Sequence, residues 1–422
     1  MYTTRTACRV CPDQITLQRV LDLGVIPVST FVHPADPTSI SAPLTLGLCP
    51  TCTLVQLMST VKKEQLFQDQ YWYRSGVNER MKAELADVVL EASKRTNPQP
   101  TDYVLDVGAN DGTLLKHYNS LMRSLHPIRV AFEPAKNLHE ELGQHAELVR
   151  ETFFPPESLA GLKAYCPQGM KIITSIAMFY DLDDPNSFVH GVKELLHADG
   201  VWVIQLQDLG GMLEAGAFDN ICHEHLEYYT LHSLMQTLRH NDLQVYDLVQ
   251  RSINGGSLRL YVGHKHPPPA WATVEGNQRV LAQLDREAQI GVLDGEDLVT
   301  RFKRFEHRID HMKRQLQAAV KAFGTVDGYG ASTKGNTLLP VCGLGKDHIR
   351  QIAERSPEKW GLETVGTRIP IVSEADWRAD PAPATVVPIW QFRDAVLKRE
   401  KEYLEAGGTF VFPLPAVELV SR

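Results

Sequence analysis

The sequence predicts an α/β protein with a small cysteine-rich amino-terminal module, a central parallel-sheet domain and a smaller α/β domain at the carboxyl terminus. Four of the seven cysteines lie in the first 52 residues as two close pairs. From Tyr103 onward, short apolar strands alternate with helical segments, a pattern typical of a parallel sheet covered by helices. A length of 422 residues suits about three domains. We place them at residues 1–68, 69–268 and 269–422.

The elements of the first two domains follow from apolar periodicity. Residues 25–43 are rich in Pro and Thr and are predicted as loop and short strand. A helix is predicted at residues 78–93, and another near residues 185–196. The central strands are predicted at residues 103–107, 128–132, 172–176 and 200–206, followed by an antiparallel pair at 244–249 and 258–262.

The carboxyl-terminal domain is predicted to begin after the proline-rich residues 264–269. A long amphipathic helix is expected at about residues 296–323. A second, smaller α/β series follows. Its strands are predicted at residues 326–329, 349–352, 369–372, 386–389 and 410–412.

Composition and charge exclude several classes of protein. Apolar residues make up 43 % of the chain, which excludes a mainly disordered protein. No uncharged apolar run reaches about 18 residues, so no membrane-spanning helix is predicted. A net charge of −8 argues against long nucleic acid as a partner, because such proteins present a basic face. The first residues lack the apolar core of a signal peptide, and we expect a cytoplasmic protein.

The amino-terminal cysteines predict a metal site. Cys8 and Cys11 enclose two residues, as do Cys49 and Cys52, and this spacing is typical of tetrahedral zinc. Four thiolates leave no open coordination position, so the zinc is expected to be structural. Redox-active pairs and chance spacing are the alternatives. The segment has few apolar residues, so we expect the metal to supply its core.

A glycine-rich turn follows the first central strand. Gly108 and Gly112 allow a ligand to approach the backbone, but the third glycine of the dinucleotide pattern is missing. Asp106 makes the turn acidic, which disfavours pyrophosphate and suits S-adenosylmethionine, a ligand with a sulfonium and a ribose. Glu133 ends the next strand, where a carboxylate can accept both ribose hydroxyls. The alternative is a tight turn that serves packing only. The predicted cofactor-binding residues are Asp106, Gly108, Asn110, Asp111, Gly112, Glu133 and Pro134.

A dense group of titratable residues follows the fourth central strand by about one loop. This position places the group at the carboxyl edge of the sheet, above the ligand crevice. His223 and His225 can exchange protons near neutral pH, and Glu224 or Glu227 can orient them. The alternatives are a solvated helix start and a metal site built from Cys222, His223 and His225.

Taken in order, these motifs resemble those of one family over essentially the whole chain. The set comprises the four cysteines, Tyr71-Trp72-Tyr73-Arg74-Ser75-Gly76, Asn110-Asp111-Gly112, Glu133-Pro134, His223-Glu224-His225, Asn254-Gly255-Gly256-Ser257-Leu258-Arg259, Gly330 to Thr337, and Gly407-Gly408 with Pro413 and Pro415. The chain resembles the sugar C-methyltransferases that act on nucleotide-linked 4-keto-deoxysugars, the family of antibiotic-sugar C-3 methyltransferases. The ordered set is more specific than any single motif in it.

The resemblance implies a zinc-binding module, a Rossmann-like class I methyltransferase domain that binds S-adenosylmethionine, and a carboxyl-terminal domain that holds the sugar nucleotide. It implies His225 as the general base, Glu224 beside it, and Tyr71 or Tyr73 near the substrate. It also implies that Lys334 meets the diphosphate, in a turn whose backbone N–H groups suit phosphate. The substrate-binding residues expected on this basis are His223, Arg259, Ser332, Thr333, Lys334, Asn336 and Thr337.

Three positions depart from the family's pattern, and all three bear on the sugar. Cys222 stands in place of a tyrosine, residues 175–181 lack the usual Asn and His, and Gln391 replaces a histidine between Trp390 and Phe392. They leave the reaction class unchanged and the identity of the sugar open.

The expected reaction is methyl transfer to C-3 of a 4-keto sugar. The carbonyl acidifies the C-3 hydrogen, a base such as His225 removes it, and the resulting enolate carbon takes the methyl group. One alternative is the same architecture acting on another carbon or a heteroatom of a nucleotide-linked or nucleoside substrate. Another is an inactive zinc-module binding protein. The expected partner is the nucleotide sugar, with no nucleic acid and no membrane, and we expect a monomer.

Overall fold

The computed structural model of the protein describes residues 2–36, 39–67, 71–122 and 126–422. Within these ranges the chain has the predicted α/β architecture: an amino-terminal β module, a central sheet with helices, and a second, largely parallel sheet toward the carboxyl terminus. The predicted boundary after residue 68 lies outside the described residues. None of the described helices is both long and apolar enough to cross a membrane.

The amino-terminal module consists mainly of strands. They are β1 (Tyr2–Thr4), β2 (Gln18–Pro27), β3 (Phe31–Val32), β4 (Ser41–Leu48), β5 (Val55–Leu57) and β6 (Ser59–Val61), and helix α1 (Lys63–Phe67) follows them. The end of β2 and the start of β4 lie within the segment that was expected to be loop and short strand. Leu21, Leu44 and Leu46 are buried in a core shared with the rest of the chain. The expectation that the metal supplies the core of the module was therefore wrong, because its apolar face packs on the other regions.

The central region alternates helices and strands in the predicted manner. Its helices are α2 (Glu79–Thr96), α3 (Thr113–Met122), α4 (His139–Leu142), α5 (Ala160–Tyr165), α6 (Pro185–Leu195), α7 (Leu209–Ala215) and α8 (Leu231–Arg239). Its strands are β7 (Tyr103–Val107), β8 (Ile128–Phe132), β9 (Leu148–Arg150), β10 (Met170–Ile176), β11 (Leu196–Gln207), β12 (Glu227–Tyr228), β13 (Leu243–Arg251) and β14 (Ser257–His264).

Local sequence signals account for the ends of several of these helices. Asn78 caps α2 by accepting from the Arg80 N–H, and the helix ends at Asn97, whose left-handed backbone conformation Asn tolerates well. Asp184 caps α6 by accepting from the Ser187 N–H, and Pro185 occupies the first turn of that helix.

The central sheet has the strand order β13-β14-β11-β10-β7-β8-β9 among the described residues. β14 runs antiparallel to both its neighbours, whereas β11, β10, β7, β8 and β9 are parallel. The chain order reverses between β7 and β10, and ligands of open α/β sheets bind at the carboxyl edge beside such a switch point. The turn after β7 and the segment after β10 both lie there.

The carboxyl-terminal region begins with two long helices and continues as a smaller α/β unit. Its helices are α9 (Val274–Gln289), α10 (Gly295–Phe323), α11 (Thr333–Val341), α12 (Glu374–Ala379), α13 (Arg393–Arg399) and α14 (Lys401–Glu405). Its strands are β15 (Val326–Tyr329), β16 (Ile349–Glu354), β17 (Glu363–Thr364), β18 (Ile371–Ser373), β19 (Ala384–Val386), β20 (Thr409–Phe412) and β21 (Glu418–Val420).

The order of the second sheet is β18-β16-β15-β19-β20-β21, so its switch point lies between β15 and β19. Two predicted strands are displaced here, and proline explains both. β18 begins only after Pro370, and β19 ends before Pro388, because proline cannot donate to the ladder. Helix α9 was not predicted.

Candidate active site

The four predicted metal ligands converge in the amino-terminal module. The Sγ atoms of Cys8 and Cys52 lie 3.7 Å apart, and those of Cys11 and Cys49 lie 3.8 Å apart. All four sulfur atoms are within 4.8 Å of one another. Zinc–sulfur bonds of about 2.3 Å in a tetrahedron require sulfur atoms about 3.8 Å apart. The cluster therefore fits the closed structural zinc site that the spacing predicts.

Gln56 connects the cysteine cluster to the histidine-bearing loop. Its Nε2 donates to the Cys8 Sγ over 3.3 Å, as an outer-shell partner of a metal ligand does. Gln56 also lies in β5, where it pairs with Glu227 of β12 in the sheet of the amino-terminal module. Because β12 directly follows the loop that carries His225, the pairing of β5 with β12 connects that loop to the zinc module.

The turn after β7, residues 106–112, is called the donor turn here. Gly108 has a φ of 72°, and its N–H donates to the Phe132 carbonyl over 2.9 Å. Gly112 also has a positive φ, 76°. Glu133 ends β8, and its carboxylate oxygens accept from the Asn110 and Ala135 N–H groups, each over 2.8 Å. Each oxygen keeps a second lone pair, so the carboxylate can also accept from two hydroxyls of a ligand.

The acidic character of the donor turn has a buried origin. Asp106 is 3 % exposed and accepts from the Thr174 Oγ1 over 2.6 Å. Burial raises the pKa of Asp106 to about 7, with Thr174 opposing the shift. Pro134 is half-buried directly after Glu133. These residues suit a cationic, hydroxyl-bearing ligand, as the sequence predicts.

Asn110 and Asp111, which were predicted to bind the cofactor, bond a neighbouring segment of the chain. The Asn110 Oδ1 accepts from the Ser75 N–H over 2.9 Å, and the Asp111 Oδ2 accepts from the Gly76 N–H over 2.7 Å. Both side chains thereby hold residues 71–76, the strap, against the donor turn. Sequence reasoning did not predict this contact, because it joins residues that lie 35 positions apart.

The strap is fixed at its other end as well. Asn137 accepts from the Tyr71 N–H over 3.1 Å and donates to the Tyr71 carbonyl over 3.0 Å. Trp72 donates to the Thr30 Oγ1 over 3.2 Å and packs edge-on against Phe31. The strap therefore joins the donor turn to the amino-terminal module.

His225 lies at the centre of a half-buried polar cluster. Its Nδ1 lies 2.8 Å from the Asn220 carbonyl, which can only accept, so Nδ1 carries the proton and Nε2 of the neutral ring is left as the basic atom. The Tyr180 ring packs against the imidazole with centroids 4.5 Å apart. One ligand atom each of Cys222, Glu224 and His225 lies within 4.8 Å of the other two.

Burial sets the protonation of this cluster. It lowers the pKa of His225 to about 4, and Lys334 adds to this effect, while the Asn220 carbonyl opposes it. Burial raises the pKa of Glu224 to about 7. We expected the base to titrate near the working pH. The pKa of Glu224 meets that expectation. The pKa of His225 lies well below the working pH, so this ring is neutral there.

The two candidate tyrosines occupy different surroundings. Tyr71 is half-buried, and burial followed by the charge of Glu224 raises its pKa well above the usual range. Tyr73 is 44 % exposed, and the charged group beside it is Asp111. Tyr71 is affected by the charge of Glu224 in the histidine-bearing loop, whereas Tyr73 lies near Asp111 and near Tyr180, whose ring packs on His225.

Lys334 approaches the same cluster from α11. Burial lowers its pKa, while the charges of Asp219 and Cys222 oppose that shift. Asp219 is fully buried, and its Oδ2 accepts from the Trp390 Nε1 over 2.8 Å and from the Gln391 Nε2 over 3.3 Å. The unusual Gln391 therefore touches the site through Asp219.

Several predicted substrate-binding residues bond elsewhere in the chain. The His223 Nε2 donates to the Ala42 carbonyl over 2.9 Å, which turns this ring away from His225 and excludes it from the alternative metal site. Arg259 is 1 % exposed and forms ion pairs with Glu84 and Asp87 at 2.7 Å.

The residues of α11 divide in the same way. The Asn336 Nδ2 donates to the Thr30 carbonyl over 2.9 Å, and the Thr337 Oγ1 donates to the Ile221 carbonyl over 3.1 Å. Ser332 caps the helix by accepting from the Gly335 N–H over 3.1 Å. Thr333 is half-buried beside it. Asn336 and Thr337 therefore join the regions of the chain.

Tyr180 and Asp181 belong to the segment 175–181, which the sequence marks as bearing on the sugar without a role for either residue, and Asp219 was not singled out. Asp181 is half-buried, and burial together with Glu224 and Glu227 raises its pKa well above the usual range. Tyr180 and Asp181 follow β10 at the carboxyl edge of the sheet. That position was the available signal, because residues after each parallel strand meet at one edge.

Comparison with known proteins agrees with this organisation. Family models match residues 8–67 as a zinc binding domain, residues 77–248 as a methyltransferase domain and residues 252–415 as a C-methyltransferase C-terminal domain. The C-methyltransferase NovU of Streptomyces niveus is 28 % identical over 421 residues, which cover 98 % of this chain and 96 % of that protein.

Solved structures align with less than half of the chain. An S-adenosylmethionine-dependent methyltransferase from Clostridium acetobutylicum is 12 % identical with a TM-score of 0.34, over 43 % of this chain and 92 % of that one. Magnesium protoporphyrin IX methyltransferase from Synechocystis is 10 % identical with a TM-score of 0.32, over 43 % of this chain and 79 % of that one.

The fold, the donor turn and the matched models define an S-adenosylmethionine-dependent methyltransferase with a structural zinc module. More specifically, the carboxyl-terminal model and the near full-length similarity to NovU indicate an S-adenosylmethionine-dependent C-methyltransferase.

Proposed function

We propose that this C-methyltransferase acts on a nucleotide-linked keto-deoxysugar and methylates the carbon next to the carbonyl, C-3 of a 4-keto sugar. The observation that carries the proposal is the His225 imidazole, whose Nδ1 is tied to the Asn220 carbonyl and whose Nε2 is the basic atom of a neutral ring. Such a ring at the carboxyl edge of the donor-binding sheet can take a proton from carbon.

The donor turn supports the first half of the reaction. In our proposal Glu133 accepts the ribose hydroxyls, and Gly108 leaves room for the ligand. S-adenosylmethionine supplies a methyl group on a positively charged sulfur. Asp106 favours that charge when it is ionised. The strap, held by Asn110 and Asp111, closes one side of the turn and keeps water from it.

The histidine-bearing loop supports the second half. A carbon next to a carbonyl becomes nucleophilic only after it loses a proton, and His225 or Glu224 is placed to accept it. The neutral His225 is available over the whole neutral pH range, but burial makes it a weak base. Glu224 is the stronger base once it is ionised, because its pKa is about 7. We propose His225 as the acceptor and Glu224 as its competitor.

The turn after β15 supports nucleotide binding by the carboxyl-terminal region, residues 269–422. Ser332 and Thr333 stand at the amino terminus of α11, and N–H groups at such a terminus suit phosphate oxygens. We also propose that the protein acts as a monomer.

Paired variants test the base. His225→Gln keeps a side chain that can bond the Asn220 carbonyl, and we expect it to lose about 10²–10⁴ in turnover, the usual contribution of a positioned base. Glu224→Gln is the matched control for charge. The measurement is methyl transfer from labelled donor to dTDP-4-keto-6-deoxyglucose, with NMR location of the label. Label on oxygen would favour the heteroatom alternative and contradict C-methylation of this sugar.

The pH dependence of kcat/KM separates the two acids. If His225 accepts the proton, the acid limb should lie near pH 4, because only below that value does its ring protonate. If Glu224 accepts it, the acid limb should lie near pH 7 and vanish in Glu224→Gln. At saturating donor, where titration of Asp106 no longer affects binding of the donor, a limb near pH 7 that persists in Glu224→Gln would contradict both assignments.

A further inference from the structure

Lys334 is a half-buried residue of α11, the helix that packs on the histidine-bearing loop. It is the second residue of α11, and Thr337 lies three residues further on the same helix. Residues three apart share a helix face, and the Thr337 Oγ1 donates to the Ile221 carbonyl over 3.1 Å. The face that carries Lys334 is therefore packed on the loop between Asp219 and His225. Lys334 is close enough to His225 to lower the pKa of that ring.

Asp219 is placed to hold this lysine. Its Oδ2 is bonded by Trp390 and Gln391. Across the described residues, its buried Oδ1 has no hydrogen-bond partner. The charge of Lys334 opposes the rise in the Asp219 pKa that burial causes, so the ammonium faces this carboxylate.

Another lysine near the turn after β15, Lys359, has different contacts from Lys334. The Lys359 Nζ donates to the Ala331 carbonyl over 2.9 Å and lies 4.6 Å from the centroid of the Phe31 ring. It also approaches Glu354 at 3.9 Å. Lys359 thus lies against the backbone of the turn after β15, whereas Lys334 lies against the histidine-bearing loop.

We propose that Lys334 is a catalytic residue whose ammonium donates to the carbonyl oxygen of the substrate, with Asp219 as its positioning residue. This inference rests on the proposed function. It replaces the expectation that Lys334 binds the diphosphate. In this proposal the backbone of the turn after β15 binds the diphosphate instead.

The step balances without a further reactant. The C–H bond next to the carbonyl breaks and its proton moves to the His225 Nε2. The electron pair of that bond forms a carbon–carbon double bond, and the carbonyl π pair moves onto oxygen. Lys334 donates a hydrogen bond to the oxyanion, a fixed charge that becomes more favourable as the negative charge develops. The carbonyl would re-form as the carbon bonds the methyl group of S-adenosylmethionine, whose methyl–sulfur bond would break and leave its electron pair on sulfur.

The test is solvent exchange without methyl transfer. The full-length, zinc-loaded protein is incubated in deuterated water with dTDP-4-keto-6-deoxyglucose and S-adenosylhomocysteine, and deuterium next to the carbonyl is measured by NMR. We expect Lys334→Met to lower the rate of exchange at saturating sugar by about 10²–10³, the usual loss when one oxyanion donor is removed. Its KM should change far less. Lys346→Met, an exposed lysine of the same region, is the matched control.

If Lys334 instead binds the diphosphate, Lys334→Met should raise KM at least tenfold while exchange at saturating sugar persists. That result would overturn the inference. If Lys334→Met exchanges at the wild-type rate, the inference fails and the proposed function stands. If the wild-type protein neither exchanges nor methylates this sugar at carbon, the proposed function fails, and the inference fails with it.

A second measurement needs no substrate. The His225 imidazole is observed by NMR in the wild-type protein and in Lys334→Met, with S-adenosylmethionine binding as the check on folding. Removal of the neighbouring ammonium should raise the pKa of His225. An unchanged pKa in a folded variant would place Lys334 away from the ring and contradict the inference.

Discussion

The donor turn after β7 and the turn after β15, residues 330–334, share one backbone construction. Gly108 and Gly330 have positive φ values of 72° and 93°. Each donates its N–H to the residue before a glutamate that ends the next strand, over 2.9 Å to Phe132 and 2.8 Å to Ala353. Each turn lies beside the switch point of its sheet.

The two glutamates repeat the likeness. Glu133 accepts from Asn110 and Ala135 N–H groups, each over 2.8 Å. Glu354 accepts from the Ala331 and Ser356 N–H groups, each over 2.9 Å. In both cases one carboxylate accepts a hydrogen bond from the preceding turn and another from the residue two positions after the glutamate.

The charges around the two turns are opposite. Asp106 and Asp111 belong to the first, whereas the Lys359 Nζ donates to the backbone of the second. The comparison teaches that a parallel sheet fixes where a ligand binds, while a few charged side chains select what binds there. An acidic turn suits a cationic methyl donor, and a basic one suits an anionic nucleotide.

Zinc removal should have the largest effect. It shows whether ligand binding at the two turns depends on the amino-terminal zinc module. Cys49→Ser should lose the metal, whose apparent binding contributes about 10–16 kcal/mol in structural sites. We expect turnover to fall at least about 100-fold, because β12 loses its support. Donor affinity, measured by calorimetry, should change by less than about threefold. Cys166→Ser, outside the cluster, is the control. If donor affinity fell as much as turnover, the donor turn would depend on the zinc module.

Alanine at the two glycines should separate their packing. A Cβ on Gly330 would lie 2.6 Å from the branched side chain of Ile389, so Gly330→Ala should lower the free energy of unfolding by about 2–4 kcal/mol. A Cβ on Gly108 would lie 3.1 Å from the flexible Met178, and about 1–2 kcal/mol is expected. Urea unfolding measures both. A larger loss at Gly108 would show that the second turn relaxes more easily than its packing suggests.

Exchange of the two glutamates tests whether the turns select different ligands. Glu133→Ala should weaken S-adenosylmethionine by about 1–3 kcal/mol, since hydroxyl partners are left unmade. Glu354→Ala should leave donor affinity within about twofold and weaken dTDP instead. Calorimetry with each ligand measures the effect, and the corresponding glutamine variants control for the turn itself. Loss of donor affinity in Glu354→Ala would break the comparison.

The smallest expected effect concerns the acidity of the donor turn. Asp106 has a pKa of about 7, and its ionised form favours a cationic donor, so donor affinity should rise by about three- to tenfold as pH increases from 6 to 8. Because the folded pKa is raised above 3.8, the stability contributed by protonated Asp106 should be lost between pH 3.8 and 7. Asp106→Asn should remove both dependences. Persistence of the affinity change in that variant would assign it to another group.

Much of the architecture could be predicted because its signals are local. The cysteine pairs, the strands at residues 103–107 and 128–132, and the glycines of the donor turn each follow from neighbouring residues. The likeness between Glu133 and Glu354 was not predicted, although each ends the second strand of its sheet. The N–H groups that each glutamate bonds become evident only from the folded backbone.

The site itself was only partly predictable. His225 and Glu224 stand out as a titratable pair, but the commitment of Asn110 and Asp111 to the strap does not. Arg259 reads in sequence as a polar residue of a motif, whereas the fold buries it against Glu84 and Asp87. A side chain's chemistry is evident from its type, but its partner is chosen by packing.

By itself, the sequence determined the zinc ligands, the order of the parallel strands along the chain and the acidic donor turn, because spacing and periodicity act over a few residues. Only the tertiary structure decided that Tyr180 and Lys334 lie near His225. These residues come from distant segments, and burial in their shared cleft holds the His225 ring neutral and raises the pKa of Glu224 to about 7. Desolvation depends on which surfaces pack together, and that is a property of the folded chain rather than of any segment of it.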